Sequence, residues 1–212
     1  MQLTLTRAGA AWLIAVPLML SGCAALMPMP APSSNVVLAV PVYQDNIALS
    51  GRISVRYEQD GKEEALHGSF RWLQTRGQIT VALLSPLNQT LATLEITPTS
   101  ARLIEAGKPP RSADNIDTLT SETLGWTLPV DGLRGWLQGF SLANGKPVPI
   151  AQPGSDNAAP VMTPDGWQIQ YMSWFNEEAP PLTRPRRIDL QRTTPGLGEM
   201  AIRIVIDSWQ QP

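Results

Sequence analysis

Two side chains occur once each in this sequence and could do chemistry that no other residue duplicates: Cys23 and His67. A cysteine sulfur can be a nucleophile, a metal ligand, a disulfide partner or an acylation site, and an imidazole can carry a proton near neutral pH. Their solitude removes most of these roles. No second cysteine exists for an intramolecular disulfide, and no His/Cys cluster can be assembled around a metal. His67 would have to serve as base to any serine nucleophile. It falls mid-strand on the face opposite Phe70 and Trp72, and the chain has no Gly-x-Ser-x-Gly elbow, so we read it as a surface histidine. Glu63-Glu64 and Glu177-Glu178 are adjacent carboxylates, whose strand neighbours point to opposite faces, whereas an acid/base pair needs facing groups. Gly196-Leu197-Gly198-Glu199-Met200-Ala201 has the spacing of a loose dinucleotide fingerprint but precedes a strand instead of opening a helix, and reads as a turn. No catalytic residue, metal or cofactor is expected.

The surroundings of Cys23 select acylation. One positive side chain (Arg7) precedes an apolar run from Ala8 to Leu20, which is followed by small residues. Crossing a bilayer core of about 30 Å takes roughly 20 apolar residues, so this run is too short, and Pro17 interrupts it. Leu20-Ser21-Gly22-Cys23 resembles the lipobox of bacterial lipoproteins, in which the cysteine receives a diacylglycerol and becomes the first mature residue. Residues 1–22 are then a signal peptide, and Cys23 is the lipid-attachment site. A triacylated cysteine supplies more than the two signals that stable anchoring needs. Asp directly after the cysteine resembles an inner-membrane retention signal. Ala24 stands there, which points to the periplasmic face of the outer membrane. Residues 23–45 read as a tether, because Pro28, Pro30, Pro32 and Pro41 favour extended, unpaired backbone. Val36 to Val40 could instead form a first edge strand.

Residues 46–212 are expected to be one folded domain. The net charge of −2 at neutral pH shows no basic excess to advertise nucleic acid. Charged residues are only 16% of the chain and there are seven tryptophans, a composition suited to a large apolar interior or pocket.

The elements begin with alternation: Ile47, Leu49, Gly51, Ile53, Val55 and Tyr57 on one face, Ser50, Arg52, Ser54, Arg56 and Glu58 on the other. Asp60-Gly61 supplies a hairpin turn, and Leu66, Gly68, Phe70 and Trp72 line the return strand. Strands follow at Ile79–Leu84, from Leu91 to Ile96, and from Arg102 to Glu105, the last two parted by Thr97-Pro98. The period then changes. Ser112 or Asp114 can cap a helix that Gly125 ends, and a second helix starts near Pro129 with Leu133, Trp136, Leu137 and Phe140 as its apolar stripe. Ser141 to Asp165 reads as a long surface loop with room for a short strand, after which strand patterns resume through Tyr171, Leu190 and Ile206 to Trp209. The expected class is α+β, a curved antiparallel sheet with helices on one side.

Several short motifs occur in order along this domain: Gly51-Arg52, Phe70-Arg71-Trp72, Ser85-Pro86-Leu87, Leu128-Pro129-Val130, Trp136-Leu137-Gln138-Gly139, Gly166-Trp167 with Tyr171, and Ile204 to Trp209. Together with the lipobox they resemble the LolB family, outer-membrane lipoproteins that receive other lipoproteins from the periplasmic carrier LolA. Asn88 stands where that family's Pro-Leu turn usually continues with Gly, and Asn also tolerates positive φ. The loop after Gly139 departs from the family's usual Pro-containing pattern.

The resemblance implies an incomplete β-barrel of about eleven strands, with helices covering an apolar cavity for acyl chains. It also implies LolA, acylated lipoprotein cargo and outer-membrane phospholipid as partners of a monomer. Candidate lining residues are Leu49, Ile53, Val55, Phe70, Trp72, Leu94 and Ile96 from the strands, with Trp136 and Leu137 from the second helix. For each of them, ordinary core packing is an equal reading. Leu87, with Pro86 beside it, sits at the tip of an expected tight turn and projects into solvent. A lone exposed leucine needs no explanation, but the matching family leucine resembles a membrane-inserting tip. Three functions therefore compete: lipid transfer without covalent catalysis, a structural or assembly lipoprotein binding a protein partner, and, last, a hydrolase.

Overall fold

The alternation that starts at Ile47 becomes one long edge of a continuous hairpin: β1 (Ile47–Gln59) pairs antiparallel with β2 (Lys62–Gln74), Leu49 facing Trp72 and Val55 facing Leu66. The structure, a computed structural model, describes residues 42–59, 61–151, 158–176, 183–194 and 198–210. The signal segment, Cys23, the tether up to residue 41 with its alternative edge strand, Asp60, Glu177-Glu178 and Gly196-Leu197 lie outside the described residues.

The meander continues through β3 (Ile79–Leu84), β4 (Thr90–Thr97), β5 (Ser100–Glu105) and a short β6 (Arg111–Ala113). Two helices follow, α1 (Ile116–Leu124) and α2 (Val130–Trp136). After them come β7 (Phe140–Ala143), β8 (Lys146–Pro149), β9 (Val161–Met162), β10 (Gln168–Asn176), β11 (Thr183–Thr194) and β12 (Gly198–Gln210). Ten strands form one antiparallel sheet in the order β6-β5-β4-β3-β2-β1-β12-β11-β10-β9, while β7 and β8 pair separately. β6 and β9 stand at opposite ends of that order, so the sheet is open. The last strand returns to lie beside the first, which places the central strands β2, β1 and β12 side by side.

One face of this sheet carries the core, because the period of two brings apolar residues to the same side on successive strands, although Leu66 and Leu83 on that face remain exposed. Leu49, Val55, Phe70, Trp72, Ile79, Leu94, Ile96, Leu103, Ile188, Leu190, Ile202, Ile204 and Ile206 form the core with Ile116 and Leu119 of α1 and Leu133 and Trp136 of α2. The opposite face carries Arg52, Arg71, Arg187, Asp189, Arg203 and Asp207, cross-linked by ion pairs such as Arg52–Asp207 at 2.9 Å and Arg187–Asp189 at 2.7 Å. Gly51 is required where β1 meets β12. The register shifts at this point, and a Cβ would lie 2.2 Å from the Val205 carbonyl oxygen.

Three local expectations are corrected. Asn115, rather than Ser112 or Asp114, caps α1: its extended backbone lets Oδ1 accept from the Thr118 N–H at 2.8 Å, whereas Ser112 is committed to pairing with Arg102 in β6. Phe140 is not part of the α2 stripe. The helix ends at Trp136, Gly139 takes the left-handed conformation at φ 87°, and Phe140 opens β7. The stretch read as a surface loop contains the β7–β8 hairpin, whose turn is Asn144-Gly145 with both φ values positive.

Candidate functional site

α2 lies across the buried face between the early and late strands. Three attachments hold it there. The Tyr171 hydroxyl of β10 donates to the Trp136 carbonyl at 2.9 Å, Trp136 and Trp167 meet ring to ring at 6.3 Å, and the Arg134 guanidinium donates to the Thr75 and Arg76 carbonyls at 2.8 Å. Burial pushes the Tyr171 phenol well above its ordinary range, so it stays a neutral donor. Just past the helix, the Gln138 side chain acts as a substitute peptide group. Its Oε1 accepts from the Gln44 N–H at 2.9 Å and its Nε2 donates to the Gln44 carbonyl at 3.0 Å.

Between α2 and the strands is a cavity of about 60 Å³. Ile53, Phe70, Trp72, Val81, Leu83, Ala92, Leu94 and Ile204 line it from the sheet, and Leu128, Leu133 and Leu137 from the helical side. Every lining side chain is apolar. The one polar atom among them, the Trp72 indole N–H, is turned onto Gln74 Oε1 at 3.2 Å, and the buried Gln74 passes the bond on to the Tyr43 hydroxyl at 3.2 Å. A fully satisfied Gln74 leaves the cavity wall without a free polar group of its own.

The structure thus brings Ile53, Phe70, Trp72, Leu94 and Leu137 around one void. Leu49, Val55, Ile96 and Trp136 are buried in the surrounding core and do not line it. Sequence reasoning passed over Val81, Leu83, Ala92 and Ile204 as lining residues, although their alternation puts them on the same face, and Leu128 and Leu133 as well. It also missed Gln74. A glutamine at an inward position of β2, two residues after Trp72, was the available signal.

The turn between β3 and β4 has its own logic. The Asn88 N–H donates to the Ser85 carbonyl at 2.9 Å, closing a turn with Pro86 and Leu87 at its two central positions. Asn88 then adopts φ 62°, the left-handed step that completes a hairpin of this length, and the register shifts at Leu83/Leu84. Arg71 of β2 donates to Asn88 Oδ1 at 3.2 Å and braces the turn from the outer face. Leu87 is left 82% exposed at the tip, while Leu83, at the foot of the same turn, borders the cavity.

Among the described residues no group of three or more His, Cys, Asp or Glu side chains could hold a metal ion, and no helix is long and apolar enough to cross a membrane. His67 is exposed on β2, opposite Ser54.

Comparison with known proteins bears on what this arrangement is. A protein of Cupriavidus pinatubonensis named outer-membrane lipoprotein LolB is 37% identical over 94% of this chain and 93% of its own length. The protein of the same name from Cupriavidus taiwanensis is 36% identical over 92% and 93%. Among solved structures, a LolA superfamily protein from Nitrosomonas europaea covers 82% of this chain and 89% of its own at 9% identity, with a TM-score of 0.41, a likeness too loose to carry an argument. The sequence profile described as outer membrane lipoprotein LolB matches residues 45–209, from two residues before β1 to the penultimate residue of β12, and the chain therefore belongs to the LolB family.

Proposed function

We propose that this protein accepts the acyl chains of lipoproteins from a periplasmic carrier of the LolA type, holds them between α2 and the sheet, and releases them into the inner leaflet of the outer membrane. Membership of the LolB family makes it an outer-membrane lipoprotein receptor in lipoprotein localisation. The observation that carries the mechanism is the cavity whose eleven lining residues are all apolar. Transfer without such cover is prohibitive: an acyl chain of about 15 methylenes exposed to water forfeits on the order of 12 kcal/mol. No covalent step is required, because handover runs downhill from a weaker-binding carrier to this cavity and on to the bilayer.

The resting cavity is too small for that cargo. About 60 Å³ is less than half of the roughly 150 Å³ that accommodates a single benzene ring. Loading therefore requires the helical side to separate from the sheet. The C-terminal part of α2 is the anchored part, through Arg134, Trp136 and Gln138. Among the described residues, the segment before it makes one hydrogen bond to the rest of the fold, from the Leu128 N–H to the Thr120 hydroxyl at 3.2 Å, beside the packing of Trp126 on Tyr57, and Leu128 borders the void. Opening on the Leu128 side needs the fewest hydrogen bonds broken. The protein works as a lipid-anchored monomer in this reading, Cys23 holding it to the membrane and residues 24–42 setting its reach, because Tyr43, Gln44 and Asp45, expected in the tether, are bonded to Gln74, Gln138 and Arg76 of the domain.

Leu87 is the delivering tip. Burying one leucine is worth about 1.5 to 3 kcal/mol, too little to anchor a protein but enough to bias the turn toward the bilayer during release. Leu87→Glu is expected to leave fold, anchoring and cargo uptake intact while release of an acylated cargo into liposomes falls sharply. Delivery at the unmodified rate, where transfer limits the signal, removes Leu87 from the mechanism. Mass spectrometry of the purified protein for bound acyl chains tests the cavity separately.

A further inference from the structure

The outer face of the sheet beside the Leu87 turn carries cations whose placement the cavity does not explain. A groove of about 370 Å³ runs there over β12, β1 and β2, with Arg52, His67, Ser69 and Arg203 on its floor and Pro86 of the turn as its wall. No carboxylate lines it. Asp207 and Asp189 lie behind it and are already engaged, by Arg52 at 2.9 Å and by Arg203 at 3.3 Å. Arg71, two residues beyond Ser69 on the same face of β2, is exposed. Among the described residues it pairs with no carboxylate, and its bond at 3.2 Å goes to Asn88, the neighbour of Leu87. The turn thus has Arg71 at Asn88 and, beyond Ser69 on the same face, a groove of mixed lining edged by Arg52 and Arg203, each ion-paired to an aspartate.

We infer that Arg71, with Arg52 and Arg203 behind it, forms a cationic collar that binds the phosphates of anionic phospholipid in the bilayer surface when Leu87 enters the hydrocarbon. This rests on the reading of Leu87 as the bilayer-contacting tip. Depth supports it. The headgroup layer is about 5 to 7 Å thick on each side of the hydrocarbon core, and adjacent Cα atoms are about 3.8 Å apart. A guanidinium bonded to residue 88 therefore comes to phosphate level when residue 87 reaches the acyl boundary. Charge supports it too. A planar guanidinium matches two phosphate oxygens at once, and juxtamembrane arginines are attracted by anionic lipid. The bond to Asn88 gives Arg71 a second effect, since it holds the turn in the conformation that presents Leu87.

The test is flotation of the mature chain, residues 23–212 with Cys23→Ala, so that neither the apolar leader nor lipidation adds affinity. Vesicles of phosphatidylethanolamine alone are compared with equal parts phosphatidylethanolamine and phosphatidylglycerol, at low and high salt. Binding to the phosphatidylglycerol vesicles is expected to be several-fold stronger and to lose that advantage in salt. Arg71→Gln should reduce it about fivefold and Arg71→Lys should retain most of it, with thermal unfolding unchanged in both. Equal binding to the two vesicle types overturns the collar, as does an Arg71→Lys variant as weak as Arg71→Gln, because Arg71 then acts only by bracing Asn88. Leu87→Ser separates the two readings. If it weakens binding to both vesicle types while Arg71→Gln changes nothing, the tip stands and the collar falls. If it changes nothing while the charge dependence persists, the collar stands and the tip reading falls. Binding of an acidic carrier protein that Arg71→Gln abolishes, with no preference between the vesicles, assigns the face to a protein partner and overturns the lipid assignment.

Discussion

Filling the cavity should stabilise the protein and impair it at once. Ala92 lies on β4 with its side chain toward the void, beside Leu83 and Leu94. Ala92→Leu adds three carbons beside a space of about 60 Å³, which they would largely fill. At about 0.8 kcal/mol for each buried carbon the upper limit of the gain is about 2.4 kcal/mol. The position is half-buried, so roughly 1 to 2 kcal/mol is expected. Cargo must expel the same atoms to enter, and its affinity should fall by a similar amount, about five- to thirtyfold. Urea unfolding of the Cys23→Ala chain measures the first quantity, and displacement of an apolar fluorescent probe by a triacylated competitor measures the second. A variant that unfolds at lower urea has been overpacked. A stabilised variant with undiminished acyl affinity refutes the reasoning, since cargo would then bind somewhere other than this void.

Three further outcomes are expected. The mature chain, residues 23–212, carrying Cys23→Ala should stay off membranes with the domain folded, and its retention through a high-salt wash would contradict the anchor. Asn115→Ala should lower stability by about 1 kcal/mol through loss of the α1 cap without altering acyl affinity, as read by thermal unfolding beside the probe assay. Asp189 is partly buried, which opposes ionisation, but hydrogen bonds from Arg187 and Arg203 outweigh this and hold its carboxyl below the ordinary value of 3.8. A depressed folded value contributes stability above the unfolded pKa and loses it as pH falls through the folded one. Asp189→Asn should therefore be less stable than the unmodified chain at neutral pH, with the gap closing below about pH 4. A gap that is constant from neutral to acid pH would show that the loss is one of packing.

Much of this molecule was legible before any coordinate. Period-two alternation is set by backbone geometry, so Ile47 to Tyr57 and Leu66 to Trp72 announced both strands and their buried face. Family membership was carried by short motifs in order, and the positive φ that Asn88 adopts is one its chemistry permits. The cap at Asn115, the early end of α2 and the hairpin at Asn144-Gly145 were harder, because neighbouring residues offered the same local signals and longer-range pairing chose among them. What the sequence by itself determined was therefore the strands, the two helices, the expectation of an anchor at Cys23 and the kind of protein this is. Which of the apolar side chains surround empty space was decided only by the tertiary structure. Leu49 and Ile53 are four residues apart on one face of β1, yet only Ile53 borders the void, because a cavity is a property of where α2 crosses the sheet. The same holds for Gln74, a polar residue on an apolar face that makes sense only once Trp72 and Tyr43 are brought to either side of it.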